Sequence, residues 1–240
     1  MKGSERHRLK ENELSHVLGD VTARVQENRS TFTLVAGLLL LVLVAGGGYW
    51  AWTTRAQNRA QMMLGDAIVI VQAPVQEAKP GAKPQAGSYP TVQARAEAAL
   101  TKFTEVFNSY PSTSAGIAAR YYAAGALAML GRHTEAATRY QEVVDRAGVN
   151  SFYGRMAQLG VVEANAQARQ FDTAINAAQA LVNNTTDETM PRDALLMELG
   201  RVQAAAGKKA EAKQTLDKVI ADFPESPYIE EAKKMLAELT

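Results

Sequence analysis

The chain has 240 residues with 26 Lys and Arg against 25 Asp and Glu, a net charge of +1, 47% hydrophobic content and no cysteine. That balance leaves no global field to draw in nucleic acid. The missing cysteine rules out disulfides, thiol nucleophiles and Cys-based zinc sites together. The histidines, His7, His16 and His133, are too few and too scattered for the usual zinc ligand count.

Residues 1–31 form a charged tail. Leu14, Val17, Leu18, Val21 and Val25 recur at helical spacing, which predicts a short amphipathic helix over 11–27. A helix this short needs a supporting surface, either the membrane or a cytosolic partner.

Residues 32–52 follow without a single charge. At about 1.5 Å per residue they reach roughly 31 Å, the thickness of a hydrocarbon core. Six Leu, three Val and Phe32 favour insertion, and Tyr49, Trp50 and Trp52 cluster at one end where headgroups would lie. A cleaved signal peptide is the rival, but its basic region would be unusually long and no A-x-A site follows. The run therefore reads as a single-pass transmembrane helix. Arg24 and Arg29 on one side balance Arg55 and Arg59 on the other, while Lys2, Arg6, Arg8 and Lys10 tip the count toward a cytoplasmic N-terminus.

Residues 53–73 keep a helical pattern up to Pro74, with Met63, Ala67, Ile70 and Val71 able to share a face. Four of the eight prolines then fall in 74–91, a spacer of flexible or polyproline character. From 92 to 240 the chain repeats. GRHTEAATRYQEVV, RQFDTAINAAQALV and GKKAEAKQTLDKVI align so that Ala136, Ala174 and Ala212 recur at one even spacing. Tyr140, Ala178 and Leu216 keep the same period, as do Val143, Leu181 and Val219. A period of this length means stacked helix pairs. AALTKFTEVFNSYP, residues 98–111, aligns with the second half of such a unit. Its first helix is supplied by 53–73, or else 53–91 is only a stalk. Residues 227–239 read as a closing helix with a polar outer face.

The last unit, Leu196, Leu199-Gly200, Ala212, Leu216 and Phe223-Pro224, resembles the tetratricopeptide pattern W-x2-L-G-x2-Y…A-x3-F…P. Gln203 stands where Tyr is usual. The 117–150 unit keeps Ala124, Leu127, the Leu130-Gly131 turn, Ala136 and Tyr140; the 155–188 unit has small Ala178 in a large position and no closing Pro. The expected fold is all-α: one N-terminal transmembrane helix, then a tetratricopeptide-type α-solenoid of three to four helix pairs plus a closing helix.

In layout the chain also resembles the YfgM-like family, ancillary subunits of the SecYEG translocon. The residues carrying this are the Tyr49-Trp50 end, the Arg-bearing helix after it and the Ala-rich repeats. Pro224-Glu225-Ser226 is similar to a step in periplasmic cell-envelope adaptors. The resemblance implies a bacterial inner-membrane protein with its repeat domain in the periplasm. Its partners would be proteins: translocon subunits, periplasmic chaperones or exported clients. A structural adaptor of outer-membrane assembly or cell division is the alternative. Counted by tetratricopeptide positions, the binding groove comprises Tyr121, Met129, Met156, Leu159, Glu163, Gln167, Met197 and Arg201. No P-loop, G-x-S-x-G or dinucleotide fingerprint occurs. The sequence thus points to no catalytic residue, cofactor or metal, and His133 reads as a solvated turn residue.

Overall fold

The computed structural model describes residues 29–76, 86–184 and 190–239. Among them the regular structure is helical: α1 (Arg29–Gln72), α2 (Val92–Ser109), α3 (Ser114–Met129), α4 (His133–Ala147), α5 (Phe152–Gln167), α6 (Phe171–Asn184), α7 (Arg192–Ala205), α8 (Lys209–Asp222) and α9 (Ile229–Glu238). The tail helix expected over 11–27 lies outside the described residues. The chain divides into two units, residues 1–55 and 56–240, so α1 contributes to both.

In the first unit, α1 carries its Leu and Val side chains uncovered, with Leu34 and Leu43 more than two-thirds exposed. Its most apolar 18-residue window has a mean hydropathy of 2.1 and is 0% buried. A core helix of a soluble domain would hide that surface; this one is long and apolar enough to cross a membrane. Tyr49 and Trp52 sit one turn apart with ring centroids 6.3 Å from each other.

The second unit is a stack of antiparallel helices, each packed on its chain neighbours. Local chemistry sets the helix boundaries. The hydroxyls of Thr91, Thr113 and Ser151 accept from the backbone N–H groups of Ala94, Gly116 and Gly154, capping α2, α3 and α5. The turn inside each pair is a left-handed residue, Gly131, Arg169 or Gly207, at φ 74°, 59° and 74°. After each, the next N–H reaches back to the closing helix: Arg132 to Leu127, Gln170 to Asn165 and Lys208 to Gln203, at 2.8–2.9 Å. These are Schellman-type stops, and they recur at the spacing of the aligned Ala columns.

The aligned columns are the core. Ala136, Ala174 and Ala212 are each 0% exposed, which lets paired helices approach closely. Val143, Leu181 and Val219 are buried beside them, and Ala99, Phe103 and Val106 of α2 are buried in the same way. Gly200 shows how close the approach is, since a Cβ there would come within 2.8 Å of Leu216 Cδ2. Ala67 of α1 joins a cluster with Ala99, Phe103, Ala119 and Ala123, flanked by Met63, Leu64, Ile68 and Ile70. Val71 is 39% exposed and takes no part, so Leu64 and Ile68 stand where a simpler face count put it. The described ends of the Pro-rich spacer are paired with each other. Gln76 N–H donates to the Tyr89 carbonyl at 2.9 Å, Tyr89 N–H to the Pro74 carbonyl at 3.0 Å, and Arg95 to the Ala73 carbonyl at 2.9 Å. Residues 77–85 of that spacer lie outside the described residues.

Candidate functional site

A groove of about 620 Å3 opens between α5 and α7, the first helices of consecutive pairs. Met156, Leu159, Glu163 and Gln167 line it from α5, one helical turn apart along a single face. Leu195, Glu198, Arg201 and Val202 line it from α7, and Met190, Pro191 and Tyr228 complete its wall. The surface is mixed: thioether and aliphatic groups with a few polar side chains, the usual make-up of a binding cleft.

Five of the eight residues expected from the sequence therefore meet in one groove: Met156, Leu159, Glu163, Gln167 and Arg201. Met129 is 52% exposed at the end of α3 and does not line it. Tyr121 is half-buried on α3, with the rings of Tyr122, Tyr140 and Tyr153 at 5.6, 5.5 and 5.5 Å. Met197 is a correction. It is 0% exposed and belongs to the core of the last pairs. Neighbouring helix residues stand about 100° apart. Met197 is thus turned off the Glu198 face and into the packing between helices.

Arg201 does not point freely into the groove. Its Nη2 donates to both oxygens of Glu231 on α9 at 2.8 Å, and Nη1 donates to Glu198 at 3.2 Å. The Tyr228 ring lies 6.0 Å from its guanidinium carbon. A forked, carboxylate-matched contact of this kind fixes both partners in orientation. Tyr228 and Met190 were not legible as groove residues, because only the tertiary path brings the segments before α7 and α9 beside α5. Glu198, one turn before Arg201 on α7, shares its face and was missed.

The four tyrosines, Tyr121 and Tyr122 on α3, Tyr140 on α4 and Tyr153 on α5, form one cluster. Burial, then the Tyr121 and Glu163 charges, pushes the Tyr140 hydroxyl up to about 12. Burial, the hydrogen bond with Tyr122 and the neighbouring phenols push Tyr153 up to about 12 as well. Tyr121 is raised by burial, then by Tyr122 and Glu163.

A second polar feature lies deeper. Arg120 is 6% exposed, bonds to Glu142, and sets its guanidinium 4.3 Å from the Phe107 ring centroid. Arg139 donates to the same carboxylate at 2.7 Å and sits 4.9 Å from the same ring. Burial lowers the Arg120 pKa despite that pairing. The one sequence signal was a lone charge in the Ala-rich stretch before Tyr121. His133 is half-buried at the start of α4, and its Nδ1 is out of solvent with no hydrogen-bond partner among the described residues, so it is only partly the solvated turn residue expected. Among the described residues no group of three or more His, Asp and Glu could hold a metal.

A tetratricopeptide repeat family model matches residues 193–226, which span α7 and α8. The fold of the second unit is a tetratricopeptide-like solenoid. The crystal structure of kinesin light chain nearly identical TPR-like repeats from Podosopora anserina superposes with a TM-score of 0.55. It covers 76% of this chain and 86% of that one at 18% identity, a level that speaks for the fold alone. No curated protein matches the chain. Tetratricopeptide folds are in general non-catalytic modules that bind proteins, and the groove lies where a stacked-pair fold presents such a surface.

Proposed function

We propose that this protein is a membrane-anchored protein-interaction module. Residues 32–52 hold it in a bacterial inner membrane, and the repeat domain captures protein segments in the groove between α5 and α7. The groove carries the reading, since five residues chosen from repeat positions converge on one cleft with an apolar wall. The uncovered apolar stretch of α1 supports the anchor. In finer detail, the N-terminus is cytoplasmic and the domain periplasmic, where it serves protein export beside the translocon as a chaperone-type adaptor. Packing of Met63, Leu64 and Ala67 against α2 and α3 supports 56–72 as the first helix of the first pair.

A photo-crosslinking amino acid placed at Gln167, in intact cells, tests this. Adducts with translocon subunits, chaperones or exported chains are expected from Gln167 and not from Gln141 on α4. Equal labelling from both positions, or adducts confined to cytosolic proteins, overturns the proposal.

A further inference from the structure

The groove has a definite electrostatic character, which bears on what enters it; this rests on the reading of the groove as the binding surface. Its charged lining consists of Glu163, Glu198 and Arg201. The one cation in that lining is already held by Glu231 at 2.8 Å and by Glu198 at 3.2 Å. With Glu231 counted at the rim, three carboxylates meet one guanidinium. Arg155, also on α5, donates to the Asn150 carbonyl and is not part of the lining. Glu163 is exposed and has no ion-pair partner among the described residues. It is the carboxylate left to act on a ligand.

Tyr140 packs on α5 one helical turn from Glu163, where a Cβ at Gly160 would come 2.8 Å from its ring, and the Glu163 charge helps raise Tyr121 and Tyr140. Aromatic faces attract cations, and a carboxylate next to them adds to that attraction. Met156, Leu159, Leu195 and Val202 supply an apolar wall that suits aliphatic side chains and the methylene stem of a long basic one. We infer that the α5–α7 groove takes an apolar peptide segment carrying a lysine or arginine, whose charge is met by Glu163 beside the tyrosine cluster. An acidic segment would meet the carboxylate surplus instead, and a like charge there is repelled.

The test uses the full chain in detergent at physiological salt. Three fluorescent peptides share the same leucines and differ only in a central Lys, Ser or Glu. Fluorescence anisotropy should rank them Lys, then Ser, then Glu. Glu163→Gln should bring the Lys peptide down to the level of the Ser peptide, roughly a five- to tenfold loss of affinity or about 1–1.4 kcal/mol. Glu163→Lys should turn the preference toward the Glu peptide. Equal binding of all three, a Lys advantage that survives Glu163→Gln, or no binding of the Lys peptide overturns the inference. A photo-crosslinker at Gln167 separates the two levels. If all three peptides crosslink there equally, the groove stands and the basic preference falls; if none does, the groove falls too.

Discussion

Leu216 is fully buried between α7 and α8, and Gly200 stands bare across from it because a Cβ would come 2.8 Å from Leu216 Cδ2. Leu216→Ala is expected to cost about 2–5 kcal/mol, read from the urea midpoint of the purified protein. Gly200→Ala should destabilise the wild type and do so less in the Leu216→Ala background, because the truncated side chain leaves room for the new methyl. An additive double mutant would show that the two positions do not touch. The tyrosines give a pH signature. Tyr140 and Tyr153 are both raised from 10.0 to about 12, so the fold favours their protonated forms. That contribution is complete below pH 10 and is lost as pH rises from 10 to about 12. Stability should therefore fall across that window together with the rise of tyrosinate absorbance, and Tyr140→Phe should blunt the fall.

Among the elements, the intra-pair turns are the most regular, and one of them is imperfect. Gly131 and Gly207 adopt the left-handed conformation without strain, whereas Arg169 does so at φ 59° with a full side chain. A non-Gly residue there costs about 1 kcal/mol or more, partly offset by the greater freedom that Gly has in the unfolded chain. Arg169→Gly should raise stability by about 0.5–1 kcal/mol, seen as a higher urea midpoint with unchanged slope. The 155–188 unit departs most from the repeat pattern, and its turn is strained while its core is not: Ala174, Ala178 and Leu181 are buried like their counterparts. The small Ala178 is buried in one continuous cluster that also holds Val162, Leu195 and Leu196.

For the whole molecule, the division after Arg55 yields a direct expectation. The full chain should resist extraction from membranes by alkaline carbonate, while a version lacking residues 1–55 should be recovered in the soluble fraction. Recovery of that shorter version in the membrane pellet would mean that the second unit binds membrane on its own. A phosphatase fused after Thr240 should be active if the C-terminal domain is periplasmic as proposed; activity only of a cytosolic reporter would reverse the orientation.

The repeat period, the Ala, Val and Leu columns it carries and the apolar stretch at 32–52 were all readable from the chain. Repeat chemistry is local: a small residue, a turn residue and the helical periodicity recur wherever one helix pair must stack on the next. Five groove residues were readable for the same reason, because repeat position tells which helix face a residue occupies. Met197 was not, since a quarter turn of α7 separates groove from core and only the packing of α7 against its neighbours selects between them. The latch of Arg201 on the distant Glu231 and the pairing of Arg120 with Glu142 depend on which helix ends meet. That is decided by how the pairs are rotated as they stack, a property of summed side-chain volumes that no single stretch of sequence carries.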